Sequence, residues 1–178
     1  YEASIAATHS KEQANASLMA LQNKVMVDPT LYDTYLQQGF DVIDTRSDVN
    51  ATIREGMKEQ WRTDLARMRF EGMLEGAQSV AELDAIAGEL TGVGAQGQTD
   101  GAVDWTAQFT PEDYRRMVND IGTARRAFVT KADADARAAL DTLTDRSNDV
   151  NALIPQEELE AVQLLVRNSE NPITAARM

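Results

Sequence analysis

Cysteine is missing altogether from these 178 residues, which excludes a disulfide framework, a thiolate-held metal and a cysteine nucleophile. Histidine occurs once, as His9 in a polar stretch with no Ser or Cys nucleophile arranged around it, so a solvent-facing side chain is expected there rather than a catalyst or ligand. Proline is confined to four positions and aromatic residues make up 6%; with few β-branched runs, no segment reads as a strand. No apolar run approaches the roughly 18 residues of a membrane span, and no secretory leader is visible. Positive charge is scarce too, with 17 Lys and Arg against 29 Asp and Glu, a net charge of −12 and a pI near 4.5. A sequence-independent grip on nucleic acid needs clustered cations to release counterions, so this balance opposes one.

What remains is rich in Ala, Leu, Met, Gln, Glu and Arg, the strong helix formers. The predicted fold class is all-α: elongated antiparallel helical hairpins or a bundle, organised around one long helix near residues 110–148. That helix opens with Thr110-Pro111-Glu112-Asp113. Thr accepts from an orphan N–H, Pro at the first helical position has no N–H to satisfy, and two carboxylates face the positive helix end. Tyr114, Met117, Ile121, Ala124 and Phe128 then step by three and four, and Ala132, Ala136, Leu140 and Leu143 continue the stripe. At 1.5 Å per residue the rod is on the order of 55–60 Å long, so its neighbours must pack along it.

Upstream, residues 1–27 read as a weakly amphipathic N-terminal helix with Leu18, Met19, Leu21 and Val25 gathered at its end, a pattern suited to packing on a partner chain. Asp28-Pro29 signals the cap and first residue of a second helix, with Leu31, Tyr32, Tyr35, Leu36, Phe40 and Ile43 on its apolar face. Asp48 is placed to cap a third, in which Val49, Ile53, Met57, Trp61 and Leu65 recur every fourth residue. Such a step drifts by about 40° per repeat on a 3.6-residue helix, so the stripe winds and meets two neighbours in succession. Ser79-Val80-Ala81-Glu82 is a capping box ahead of Leu83, Ile86 and Leu90, with Gly92 at the stop.

The expected layout is an N-terminal helix (1–27), a helical bundle segment (28–92), a connector loop (93–109) pinned by Trp105, and the long helix with a C-terminal helical hairpin opened by Pro155 (110–178). The stretch from Asp44 to Ile53 echoes that from Asp145 to Ile154 with one gap, which predicts two similar interhelical turns. A start at Tyr1 and a helix just begun at Asn171-Pro172 suit an excerpt of a longer polypeptide.

Each motif with a chemical sound has a plainer reading. Gly92-Val93-Gly94-Ala95-Gln96-Gly97 spells G-x-G-x-x-G, but it follows a helical pattern where a dinucleotide site needs a strand. Asp133 and Asp135 lack the third oxygen ligand, the Gly and the distal Glu of a calcium loop, and Arg137 holds the third position. No carboxylate pair stands out for glycoside hydrolysis. Arg115-Arg116 and Arg125-Arg126 lie among Glu112, Asp113 and Asp120, a solvated face rather than a phosphate site. Met57, Met68, Met73 and Met117 fill a core or form an adaptable partner surface. The sequence thus assigns no catalytic residue, no cofactor, no metal ligand and no enzymatic activity.

Several segments resemble the helical regions of large internal virion proteins of short-tailed bacteriophages: Asp28-Pro29-Thr30-Leu31-Tyr32, Ile53-Arg54-Glu55 leading to Arg69-Phe70-Glu71-Gly72-Met73-Leu74, Glu82-Leu83-Asp84, and Phe109 through Met117. In those chains a D-P-x-L-aromatic helix precedes a long helix ending in E-G-[LM], a short helix and an L-T-P-E-type cap. Ile154-Pro155-Gln156-Glu157-Glu158-Leu159, with Asn171 through Met178, is similar to the I-P-x-x-E-L … N-P-x-L-A-x-R pattern found there. The likeness covers most of residues 28–178 and consists of helix-cap and turn grammar.

The resemblance implies a structural ejection protein, stored in the virion and released into the host envelope. There it would oligomerise with its own copies and with portal, tail or core components, building part of an internal core or a conduit for DNA. It implies no sequence-specific binding of nucleic acid and only transient contact with DNA or envelope; an acidic lining would repel phosphate and let DNA slide. Some such polypeptides carry a lytic transglycosylase domain, but no residue of that active site has a match here. Two other readings compete: a helical adaptor whose groove carries exposed Met and aromatic residues, and a non-catalytic region of a peptidoglycan-degrading virion protein.

Overall fold

The computed structural model describes residues 2–91, 105–148 and 154–169, with side chains from Lys11 onward and without that of Asn168. Every regular element among the described residues is helical: α1 (Glu2–Val27), a 3-10 turn (Pro29–Leu31), α2 (Tyr32–Asp44), α3 (Ala51–Gly76), α4 (Val80–Thr91), the single turn α5 (Trp105–Gln108), α6 (Pro111–Ser147) and α7 (Gln156–Asn168). The all-α expectation holds, and α6 runs without a break for 37 residues. The glycine-rich motif at 92–97 lies outside the described residues, as do residues 149–153 and 170–178.

Local chemistry sets the helix starts. The Thr110 hydroxyl accepts from the Asp113 N–H (3.2 Å) and donates to the Asp113 carboxylate (2.7 Å), a reciprocal cap on α6. Ser79 accepts from the Glu82 N–H at 3.2 Å, as its capping box requires. The Asp28 carboxylate accepts from the Thr30 N–H at 3.1 Å, but Pro29 opens the 3-10 turn, and α2 proper begins at Tyr32. At α3 the expected cap is corrected. Asn50, not Asp48, accepts from the Ile53 N–H (2.9 Å), because Asp48 is engaged by the Arg46 guanidinium through two bonds of 2.6 Å.

The chain forms two compact units, one from residues 1–78 and 84–118 and the other from 79–83 and 119–178. In the first, α1, α2 and α3 pack against one another. Leu21 and Val25 of α1 are buried within this chain. Two glycines permit the contact. A Cβ on Gly39 would lie 2.0 Å from the Trp61 indole, and one on Gly72 only 2.2 Å from the Met26 carbonyl oxygen. Trp61 donates its indole N–H to the Leu36 carbonyl (3.1 Å), so the ring is both packed and satisfied. Fully buried Leu65 follows one turn on, and side chains of this kind each stabilise by about 1.5–3 kcal/mol. Phe70 meets Trp105 edge-on (6.3 Å), and Trp105 stacks on Phe109 (5.8 Å); Trp105 therefore anchors the end of the predicted connector. The Tyr114 hydroxyl donates to the Leu90 carbonyl at 3.2 Å, tying the start of α6 to the end of α4.

In the second unit Ala136, Leu140 and Leu143 of α6 pack with Val162 and Val166 of α7, flanked by Ala139, Ile154, Leu159 and Leu165. Arg146 pairs with Glu158 to brace the hairpin. Of the sequence echo, residues 149–153 lie outside the described residues, and only its ends can be compared. Ile53 is already helical, whereas its counterpart Ile154 is not, and Pro155 stands at the cap of α7. Proline disfavours helical backbone in the residue before it. The counterpart of Pro155 is Arg54, which instead donates to the carbonyls of Arg46 (3.0 Å) and Val49 (2.8 Å).

Candidate functional site

Two places in the first unit hold more than plain packing. The first is a face shared by α1 and α3. The four-residue stripe of α3 is buried only from Trp61 onward; Ile53, expected in the core, is 49% exposed and Met57 is half-buried. Ile53, Gly56, Met57 and Gln60 are spaced i, i+3, i+4, i+7 and so share one side of the helix. Alongside lies a cleft of about 320 Å³ lined by Leu18, Met19, Ile43, Met57 and Trp61. Asn15, Gln22, Gln60 and Asp64 complete its lining. Met19 projects into solvent at 65% exposure. The cleft thus has an apolar floor with a margin of three amides and one carboxylate.

The second is a polar node between α2, α3, α4 and α5. The Arg69 guanidinium lies 5.3 Å from the Tyr32 ring centre and 2.9 Å from a Glu89 carboxylate oxygen. Tyr32 and Trp105 are buried. The Tyr32 hydroxyl, Arg69 Nε, Trp105 Nε1, Gln108 Oε1 and that Glu89 oxygen make no aligned hydrogen bond. Gln108 nevertheless sits close enough to the Tyr32 hydroxyl to favour its ionised form, but burial outweighs this and raises the phenol above its ordinary value of 10.0. The node binds one charge pair and places no general base beside a nucleophile. Its chemistry is positional, holding α4 and α5 against α3.

The candidate residues singled out in the sequence do not converge. Asp133 pairs with Arg137 at 2.7 Å, i to i+4 along α6, and among the described residues no three metal-ligating side chains cluster. Arg115, Arg116 and Arg126 are exposed on α6, and Arg126 donates to the Thr123 hydroxyl (3.0 Å). Met117 is buried while Met57, Met68 and Met73 are half-buried. His9 lies on α1, with its side chain outside those described. No described helix is long and apolar enough to cross a membrane. No family model, curated protein or solved structure matches the chain.

Periodicity alone misplaced Ile53 and passed over Gly56. The overlooked signal was glycine in the middle of a helix, which costs about 1 kcal/mol relative to alanine and so asks for a reason.

Proposed function

We propose that this chain is a structural, non-catalytic component of the DNA-ejection apparatus of a short-tailed phage, assembling with its own copies and with portal, tail or core proteins into part of an internal core or conduit. What carries the reading is the uncovered apolar face on α1 and α3, with Met19 65% and Ile53 49% exposed. Such a face is stabilised by covering it with another protein surface. The resemblance supplies the setting: the segments that carry it include the Thr110 cap of the 37-residue α6 and the Asp28-Pro29 entry to α2. A net charge of −12 suits a wall along which DNA passes without sticking.

The adaptor reading draws on the cleft beside Met19 and Met57, since methionine adapts to varied partners. Mass spectrometry of purified virions from the phage that encodes the chain, with light scattering on the isolated protein, decides between the two. Multiple copies per particle and a concentration-dependent oligomer are expected for the ejection component. Absence from particles, with a strictly monomeric protein, would overturn it in favour of the adaptor.

A further inference from the structure

We infer that residues 105–109, the α5 turn with Phe109, form a strap that lifts off α3 while the rest of the first unit stays folded. The strap is a property of that unit alone, whatever the chain assembles with.

Among the described residues, the buried side-chain polar atoms without an aligned hydrogen bond all belong to the node of Tyr32, Arg69, Glu89, Trp105 and Gln108. The two tryptophans make the contrast. Trp61 and Trp105 are each 3% exposed, yet the Trp61 indole N–H is bonded to the Leu36 carbonyl and that of Trp105 is bonded to nothing. A buried polar atom left unpaired biases an equilibrium by roughly tenfold or more toward any state in which water reaches it. Not all of these atoms depend on α5. Arg69 and Glu89 stay paired across α3 and α4 at 2.9 Å. Trp105 Nε1 and Gln108 Oε1, however, ride on the strap, and the Tyr32 hydroxyl lies beside Gln108, so lifting returns three atoms to water at once. Part of the strap's packing also travels with it, since Trp105 stacks on Phe109. What lifting breaks is the edge-on contact of Trp105 with Phe70 and the reach of the Thr63 hydroxyl to the Gln108 carbonyl, long at 3.5 Å. That hydroxyl has a nearer acceptor in the Glu59 carbonyl, at 3.1 Å. Beyond the strap the chain is secured again. Tyr114 ties the start of α6 to the Leu90 carbonyl, which leaves the non-helical Thr110, ahead of Pro111, to absorb the backbone change. Lifting bares Phe70 and Tyr32 beside the Arg69–Glu89 pair, an aromatic surface shown only in a minor population.

The chain has only these two tryptophans, so both indole N–H signals can be followed by NMR in one sample of the natural chain carrying isotope-labelled tryptophan, assigned through their neighbours Phe70 and Leu36. Because both groups are indoles, the ratio of their hydrogen-exchange rates reads the ratio of their opening constants. Under native conditions Trp105 should exchange about 100-fold or more faster than Trp61, with a much shallower dependence on urea, since lifting the strap exposes far less surface than unfolding the unit. Tyr32→Phe combined with Gln108→Met removes two of the unpaired atoms and should slow exchange at Trp105 by about tenfold or more; Gln108→Met alone should give part of that slowing. Equal rates and equal urea slopes for the two indoles in the natural chain would mean that residues 105–109 leave only when the whole unit unfolds, and would overturn the strap. Fast exchange at Trp105 that neither variant slows would overturn the unpaired atoms as its cause.

Discussion

A Cβ at Gly72 meets a backbone carbonyl, which cannot turn aside, and one at Gly39 meets a buried indole held by its own hydrogen bond. Alanine at either position should destabilise by about 1–3 kcal/mol despite its better helix propensity. Gly56→Ala should instead stabilise the isolated monomer by about 0.5–1 kcal/mol; urea denaturation of the three variants checks the contrast in sign. Ionisable residues add a pH signature. The Arg46 guanidinium bonded to Asp48 holds that carboxyl below its ordinary value of 3.8. The stability it contributes is therefore present above pH 3.8 and lost as pH falls through the lower folded value. Asp48→Asn should remove that part of the acid dependence of the urea midpoint. Tyr32 behaves in the opposite sense. Its raised pKa means the folded state keeps a proton that the unfolded chain gives up above pH 10.0, so stability declines as pH rises beyond that point. Tyr32→Phe should flatten the alkaline limb.

At the level of single helices, caps and ion pairs define where each element begins and what it leans on. Thr110→Ala removes an acceptor and a reciprocal bond at the head of α6 and should cost about 1 kcal/mol, read as a lowered thermal midpoint. The Arg69–Glu89 pair joins α3 to α4 with the two side chains 17% and 34% exposed. Removing Arg69 alone leaves a partly buried carboxylate without its cation and should cost roughly 1–3 kcal/mol, less than for a fully enclosed pair because water still reaches Glu89. Replacing both residues, as Arg69→Met with Glu89→Leu, should recover most of that loss. A double-mutant cycle by chemical denaturation tests it. The aromatics of α2 are covered in a related way: Lys24 lies over Tyr35 at 5.6 Å, and Lys58 and Arg62 over Phe40 at 5.9 and 5.3 Å. Cationic stems thus finish what α2's apolar face leaves open.

Across the whole molecule, the two units are unequally furnished. Trp61 and Trp105, the chain's two tryptophans, both lie buried in the first unit, whereas the core of the second rests on Ala136, Leu140, Leu143, Val162 and Val166. Tryptophan fluorescence therefore reports on the first unit and far-ultraviolet circular dichroism on both. Leu140→Ala should cost the second unit about 2–4 kcal/mol and bring part of the dichroism loss to lower denaturant while leaving the fluorescence midpoint in place. Coincident shifts of both signals would mean that the units unfold as one.

Helix content, the capping residues at Ser79 and Thr110 and the face of α6 were legible from the sequence, because caps act within a turn and periodicity is a property of neighbours three and four residues apart. The onset of α3 was not, since Asp48 and Asn50 are equally able to cap and only the Arg46 side chain, folded back on Asp48, left the task to Asn50. Nor was the fate of the α3 stripe: Ile53 and Trp61 carry the same periodic signal, yet one is exposed and the other buried. Which glycine faces a neighbouring helix and which faces open space, and which apolar side chains remain uncovered, depends on the approach of helices distant in the chain, and burial is settled only when those surfaces meet.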